Sequence, residues 1–285
     1  MTDEKYLQFK NFIKEYVTTR KTNLKNQIES LIQTTKRTPS LLIIQVGNNF
    51  ASNKYIAGKI KDCNEVGIQA HLEKFEETVS EATVLDYIAT SGNNYNGLIV
   101  QLPLPKHISV AKIIKQIPAE IDVDGFKPES EFTPCTPLGI YNLLMEIFKN
   151  DPKLDGQNIV ILGRSDIVGK PMAKLLIEKT DATITVCNSH TRNLRNHTRN
   201  ADTLISAIGK ARFITGNMIK PETTIIDVGI NQSDDGKLCG DIDYASLPEN
   251  VRFITPVPGG IGLITRLTLL ENVYQATIQT KQTSA

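Results

Sequence analysis

The chain has 285 residues, 40% hydrophobic and 22% charged, with a formal net charge of +1. That is enough for one large or two medium domains, and the near-neutral balance excludes the basic surface of a nucleic-acid binder and the charge excess of a disordered tail. No apolar run reaches membrane-spanning length, and the polar, acid-bearing start MTDEKYLQFK does not read as a signal peptide.

Cys63, Cys135, Cys187 and Cys239 stand far apart, with no CxxC pair and no histidine cluster beside them. That pattern disfavours zinc and a disulfide framework, and fits reduced thiols in a cytoplasmic protein.

Apolar positions Phe9, Phe12, Ile13, Val17, Leu24, Ile28 and Leu31 recur near helical spacing and predict a long helix over about 4–35. SLLIIQVG (40–47) reads as a buried strand ending in glycine, followed by a helix that stops at EVG near Gly67. QAHLEKF is the next candidate strand, 79–91 a helix, and GLIVQLPLP (97–105) a strand halted by its prolines. The proline-rich start of PCTPLGIYNLLMEIFKND reads as a hinge and its remainder as a connecting helix, with a domain boundary near Pro137.

The rhythm then restarts. NIVILG is a strand, 170–178 a helix, and ATITVCN, ADTLISAIG, TTIIDVGI and RFITPV are further strands. A helix is predicted over 265–280, folding back on the first unit, and the tail TKQTSA is expected to fray. Alternating strands and helices predict an α/β protein of two domains with parallel sheets, the second Rossmann-like, and a cleft between them.

NIVILGRSDIVGKPMAKLL is a strand, a glycine turn and a helix with proline in its first turn. Such a turn lets backbone approach a phosphate, and the helix N-terminus favours its charge. Gly163, Arg164 and Ser165, with Gly169 six positions after Gly163, do not form the usual G-x-G-x-x-G, but the context suits a dinucleotide. The following strand ends in Asn188 and Ser189, where an NAD site usually carries an acid. A missing carboxylate, with Arg164 in the loop and Arg192 nearby, points to the 2′-phosphate of NADP. The alternative is that SHTRNLRNHTRN is only a solvated basic face.

In open parallel sheets, ligands bind beyond the carboxyl ends of strands. Tyr55 and Lys59 share a helix face by their four-residue spacing, Gln101 follows GLIV, and Asp122 and Asp124 lie in EIDVDGF. Tyr55, Lys59, Gln101 and Asp124 could converge on one cleft. Equally, Tyr55 and Lys59 could be an ordinary helix surface, Gln101 a strand cap and Asp124-Gly125 a plain turn. Asp122 and Asp124 have no histidine beside them, which argues against a metal. The Tyr-x-x-x-Lys spacing of short-chain dehydrogenases lies downstream of their nucleotide loop, whereas here it lies upstream.

The blocks YIAGKIKDCNEVGI, GLIVQLPLP, DVDGF, PCTPLGI, GRSDIVGKPMAKLL, ISAIGKARFI, IIDVGIN, GDID and TPVPGG occur in the order found in bifunctional methylenetetrahydrofolate dehydrogenase/cyclohydrolases, the FolD family. The resemblance spans about 41–265. It implies a folate-binding catalytic domain of 1–137 with 266–285, an NADP-binding domain of 138–265, a homodimer, and tetrahydrofolate derivatives as ligands. It also implies two reactions: oxidation of 5,10-methylenetetrahydrofolate by NADP, and hydrolysis of the methenyl product to 10-formyltetrahydrofolate.

By residue, the resemblance makes Lys59 the central catalytic group, oriented by Gln101. Tyr55 offers a ring to the substrate, Asp124 binds the pterin edge, and Leu102, Gly259 and Gly260 border the folate. It puts Gly163, Arg164, Ser165, Ser189 and Ile230 against the cofactor, with Arg164 and Ser189 taking the 2′-phosphate.

Three places depart from the family pattern. The segment between DVDGF and PCTP is short, Leu263 and Ile264 replace proline and methionine in PGGIGLIT, and the first helix lacks an LDGK-like opening. A member with one activity and a non-catalytic NADP or folate binder are the alternatives. A shikimate-type dehydrogenase is disfavoured by QLPLP and PVPGG.

Overall fold

The structure, a computed structural model, describes residues 1–149, 154–233 and 236–279. The expected frayed tail and the last residue of the predicted final helix lie outside them. Contacts divide the chain into two compact units, one of Thr19–Cys135 with the helix from Arg266 onward, the other of Met1–Thr18 with Thr136–Thr265.

The elements run in chain order α1 (Asp3–Thr35), β1 (Ser40–Val46), α2 (Phe50–Val66), β2 (Gln69–Phe75), α3 (Glu81–Ser91), β3 (Gly97–Val100), α4 (Val110–Gln116) and α5 (Cys135–Ile147). The second series is β4 (Asn158–Leu162), α6 (Gly169–Lys179), β5 (Thr183–Cys187), α7 (Leu194–Arg199), β6 (Thr203–Ser206), β7 (Thr224–Asp227), β8 (Asn231–Gln232), β9 (Leu238–Cys239), β10 (Phe253–Ile254) and α8 (Ile261–Gln279).

The first unit holds a parallel sheet in the order β2-β1-β3. β1 is central and buried on both faces, which is why it reads as a nearly continuous apolar run, broken only by Gln45 between Leu41 and Val46. Leu41 and Ile43 face a core with Leu24 and Ile28 of α1, Ile56 and Val66 of α2, and Leu269 and Val273 of α8. Leu42, Ile44 and Val46 face the opposite core with Val84 and Ile88 of α3 and Ile113 of α4. The alternation is the two-residue period of a strand, and each face is closed by helices. The final helix thus packs on the first sheet.

α2 starts where the Asn49 side chain accepts the N–H of Ser52. It ends at Gly67, whose φ of 90° favours glycine and whose N–H donates to the Cys63 carbonyl. Both caps fix how far the helix runs beyond β1, and so where Tyr55 and Lys59 stand.

The second unit holds a five-stranded parallel sheet, β10-β7-β6-β4-β5, with a short antiparallel pair β8-β9. The inner strands β6 and β7 are buried throughout, and β4 is buried after its first residue. The first half of α1 belongs here, although 1–137 is expected to stay together. The rings of Phe9 and Phe12 lie 4.9 and 5.3 Å from that of Phe253, and Tyr6 lies 5.2 Å from Tyr244. Helical periodicity identifies the buried stripe of α1 but not the sheet that covers each part of it.

Four further elements escape the sequence reading, among them the seven-residue α4. α7 lies inside SHTRNLRNHTRN, which has no apolar period to mark a helix, and β8 and β9 are two residues each.

Candidate active site

Lys59 is only 5% exposed. Its Nζ donates to Gln101 Oε1 at 3.2 Å and stands 5.0 Å from the centre of the Tyr55 ring, a cation–π distance. Gln101 is held from both ends. Its backbone N–H continues the ladder to Ile44 O (2.8 Å), and its side-chain Nε2 donates to Leu102 O (2.8 Å), which leaves Oε1 for the lysine.

Asp124 lies in the turn after the buried Val123. Gly125 closes that turn at φ 71°, its N–H donating to Asp122 O at 2.9 Å. A Cβ at Gly125 would meet Phe132 O at 2.6 Å, so the turn admits only glycine. Burial, with the nearby Asp124 carboxylate next in size, pushes the Tyr55 phenol well above its usual pKa and keeps it protonated. Tyr55, Lys59 and Gln101 therefore form one cluster, and Asp124 stands close enough to act on the Tyr55 phenol through its charge. Leu102 and Asp124 also border a cavity of about 10 Å³, room for one water. Asp122 belongs to the scaffold: it is buried, and its Oδ2 accepts the N–H of Lys127 at 2.8 Å.

Behind the cluster lies a charge network that spacing does not reveal. Asp62 Oδ1 accepts from Lys21 Nζ of α1 at 2.6 Å, and Asp62 Oδ2 lies 2.8 Å from Arg266 Nε of α8. The second contact is too poorly aligned for a hydrogen bond and acts through charge. Arg266 passes directly over Gly58, where a Cβ would sit 2.0 Å from its Nη1. The glycine between Tyr55 and Lys59 thus makes room for the guanidinium.

In the second unit, Leu162 pairs with Cys187 across β4 and β5, so Gly163 and Asn188 leave the sheet side by side. Gly163 has φ 108°, and a Cβ on it would meet Ala207 O at 2.4 Å; a Cβ on Gly169 would meet Gly163 O at 2.2 Å. The two glycines six apart let the loop close on itself. A pocket of about 500 Å³ opens beside it, lined among others by Gly163, Arg164, Asn188, Ser189, Lys210 and Phe213. It sits at strand carboxyl ends, where open α/β sheets bind nucleotides. Arg164 and Ser189 both line it, and among the described residues no carboxylate does.

Ser165 instead organises its own loop, its Oγ accepting the N–H groups of Val168 (3.2 Å) and Gly169 (3.4 Å). Ile230 is 63% exposed and is not among the lining residues, while Gly259 and Gly260 immediately precede α8 in this unit. Sequence reasoning missed Lys210 and Phe213. Their signal was available: Lys210 follows β6, a third parallel strand ending at the same edge. Among the described residues, no group of three or more His, Cys, Asp or Glu could hold a metal ion.

A glycine loop and pocket at the ends of one parallel sheet, together with a buried helical lysine bonded to a glutamine at the end of a strand in a separate parallel sheet, define a two-unit α/β enzyme of the dinucleotide-binding class. Two family models match the chain. The tetrahydrofolate dehydrogenase/cyclohydrolase catalytic domain matches residues 13–124, and the NAD(P)-binding domain of the same family matches residues 134–281. The chain belongs to the tetrahydrofolate dehydrogenase/cyclohydrolase family.

It is 46% identical over 250 residues to the bifunctional protein FolD of Dechloromonas aromatica, covering 84% of this chain and 86% of that protein. The crystal structure of the bifunctional FolD enzyme of Campylobacter jejuni aligns with a TM-score of 0.88 at 36% identity, over 94% of this chain and 98% of that one. The FolD of Trypanosoma brucei, solved with NADP and an inhibitor, aligns with a TM-score of 0.86 at 27% identity, over 93% of this chain and 96% of that one.

Proposed function

We infer that the protein oxidises 5,10-methylenetetrahydrofolate to the methenyl cation with NADP⁺ and hydrolyses that cation to 10-formyltetrahydrofolate, a step pair of one-carbon metabolism. The observation that carries this reading is the buried Lys59 on Gln101 beside Tyr55, in a chain matched by both family models.

Hydride transfer needs the methylene carbon held against the nicotinamide, so the protein's contribution is positioning. When bound, NADP⁺ supplies the hydride acceptor. Hydrolysis asks for more. Water adds to the cationic carbon and loses one proton to give the neutral carbinolamine; its hydroxyl gives up the second proton as the carbonyl forms and the C–N5 bond breaks, N5 takes up one proton, and one proton is released overall. Lys59, held by Gln101, is the group for moving that proton. Tyr55 and Asp124 orient the folate, with Leu102, Gly259 and Gly260 bordering it.

The test is a paired assay on the purified protein, following NADPH formation from 5,10-methylenetetrahydrofolate and, separately, decay of the methenyl compound. Both activities are expected. Decay alone would mark a one-activity member, and neither activity in a folded protein would sink the reading.

For the cofactor, Gly163 supplies close backbone approach, Ser165 shapes the loop and Ile230 is a further contact that the resemblance implies. Arg164 and Ser189 take the 2′-phosphate. Replacing Arg164 with serine is expected to raise the KM for NADP⁺ by about tenfold or more, the size of one lost charge-assisted contact, with little change for NAD⁺. An equal rise for both cofactors would assign Arg164 to the shared pyrophosphate instead.

The resemblance also supports a homodimer. β5 is an edge strand with Val186 40% exposed, and sedimentation of the purified protein would decide the assembly. The four cysteines are free and buried, which suits the reducing cytoplasm.

A further inference from the structure

Two of the quoted sequence blocks, IIDVGIN and GDID, take little part in the site described so far. They carry two carboxylates buried in the second unit, Asp227 (1% exposed) and Asp241 (0% exposed).

Asp241 is the better connected to the pocket. Its Oδ2 accepts the Ser206 hydroxyl at 3.0 Å and the Ile208 N–H at 2.9 Å. Its Oδ1 accepts the Lys210 N–H at 2.9 Å and the Asn231 side-chain amide at 3.0 Å. Three of the four donors belong to the segment 206–210 that leaves β6, and Ala207, Ile208 and Lys210 of that segment line the nucleotide pocket. The fourth, Asn231, adjoins Ile230. Gly229 admits the carboxylate, since a Cβ there would lie 2.2 Å from Asp241 Oδ1.

Asp227 holds Asp241 from behind. Its Oδ1 accepts the N–H groups of Asp241 and Gly229, both at 3.0 Å, and its Oδ2 accepts the Ile242 N–H and the Tyr244 hydroxyl, both at 3.1 Å.

We infer that Asp241 is a positioning residue for the nucleotide cofactor: by accepting four hydrogen bonds, three of them from 206–210, it fixes the wall of the pocket before the cofactor arrives. The inference rests on the cofactor reading above. Its physical basis is preorganisation. A strand-end loop would otherwise lose conformational freedom on binding, whereas this one is already held by a carboxylate that meets donors at both oxygens.

Asp241→Asn is the sharp test, because an amide accepts at one oxygen only and presents donors at its nitrogen, so at least two of the four donors would face another donor. Calorimetry with NADP⁺ is expected to show a dissociation constant raised about tenfold or more, with the KM for NADP⁺ raised in parallel and kcat at saturation within about threefold of wild type. A purely structural role would lower the melting temperature without this split between KM and kcat. Ser206→Ala removes one donor and keeps the carboxylate; about a threefold weakening is expected, and it carries the test if Asp241→Asn does not fold.

Unchanged NADP⁺ affinity in folded Asp241→Asn, or in Ser206→Ala where the first variant does not fold, overturns the inference. So does a fall in kcat with KM unmoved. A wild-type protein that binds no NADP⁺ would instead overturn the cofactor reading, and this inference with it.

Discussion

Replacing Lys59 with alanine is expected to lower methenyltetrahydrofolate hydrolysis by about 10²–10⁴-fold, the range lost when a positioned proton-transfer group is removed. Oxidation of the methylene compound is expected to fall less. Hydride transfer leaves the cation behind without moving a proton, so it loses only what Lys59 contributes to holding the folate. The geometry behind this asymmetry is the 3.2 Å bond from Lys59 Nζ to Gln101 Oε1, with the amine 5.0 Å from the Tyr55 ring centre. Gln101 can serve because its own amide nitrogen is occupied by Leu102 O. Stopped assays of both reactions on the same preparation would check the prediction. Equal losses would make Lys59 a substrate-holding residue, and undiminished hydrolysis would remove the cluster from the hydrolytic step.

Much of this arrangement is legible in the sequence because it is local. The run from Leu41 to Val46 is apolar at every position except Gln45, as a central parallel strand must be, and the structure buries both of its faces. Gly67 and Gly163 stop a helix and turn a strand at positive φ; Gly163 is visible as glycine after an apolar run, and Gly67 as the glycine of EVG that closes a helical stretch. Tyr55 and Lys59 share a face by spacing, and their meeting with Gln101 follows from β1 and β3 lying side by side.

The parts that could not be read depend on partners distant in the chain. Phe9 and Phe12 obey a helical period, yet nothing in that period says they pack on Phe253. Asp241 reads as one acid in a short polar block until the fold brings Ser206, Ile208, Lys210 and Asn231 to it. Gly58 looks like a poor choice in the middle of a helix, where glycine costs about 1 kcal/mol relative to alanine. The reason for it is a guanidinium on α8.

That guanidinium leads to the largest expected effect on stability. Asp62→Ala is expected to cost about 3–5 kcal/mol, the loss typical of breaking a buried ion pair by removing one partner. The Asp62 side chain is 5% exposed, Lys21 12% and Arg266 20%, so solvent screens none of the three well. Without the carboxylate, two cations from α1 and α8 are left close to α2. Lys21 retains Glu65 at 2.9 Å, but that acid is 53% exposed and compensates weakly. Arg266 sits over Gly58 with its Nε toward Asp62, so it carries the larger share of the uncompensated charge.

Pairing the change with Arg266→Met should recover part of the loss, because a buried ion pair replaced on both sides by apolar groups is often tolerated. Urea unfolding of the two single variants and the double variant gives the coupling directly. A cost below about 1 kcal/mol for Asp62→Ala would mean that the network behaves as a solvated surface pair. The consequence reaches the chemistry as well. α2 carries Tyr55 and Lys59 on the turns beside Gly58 and Asp62, so a helix loosened there is expected to raise the KM for folate in both reactions together, whereas a lost proton-transfer group would lower kcat in hydrolysis alone.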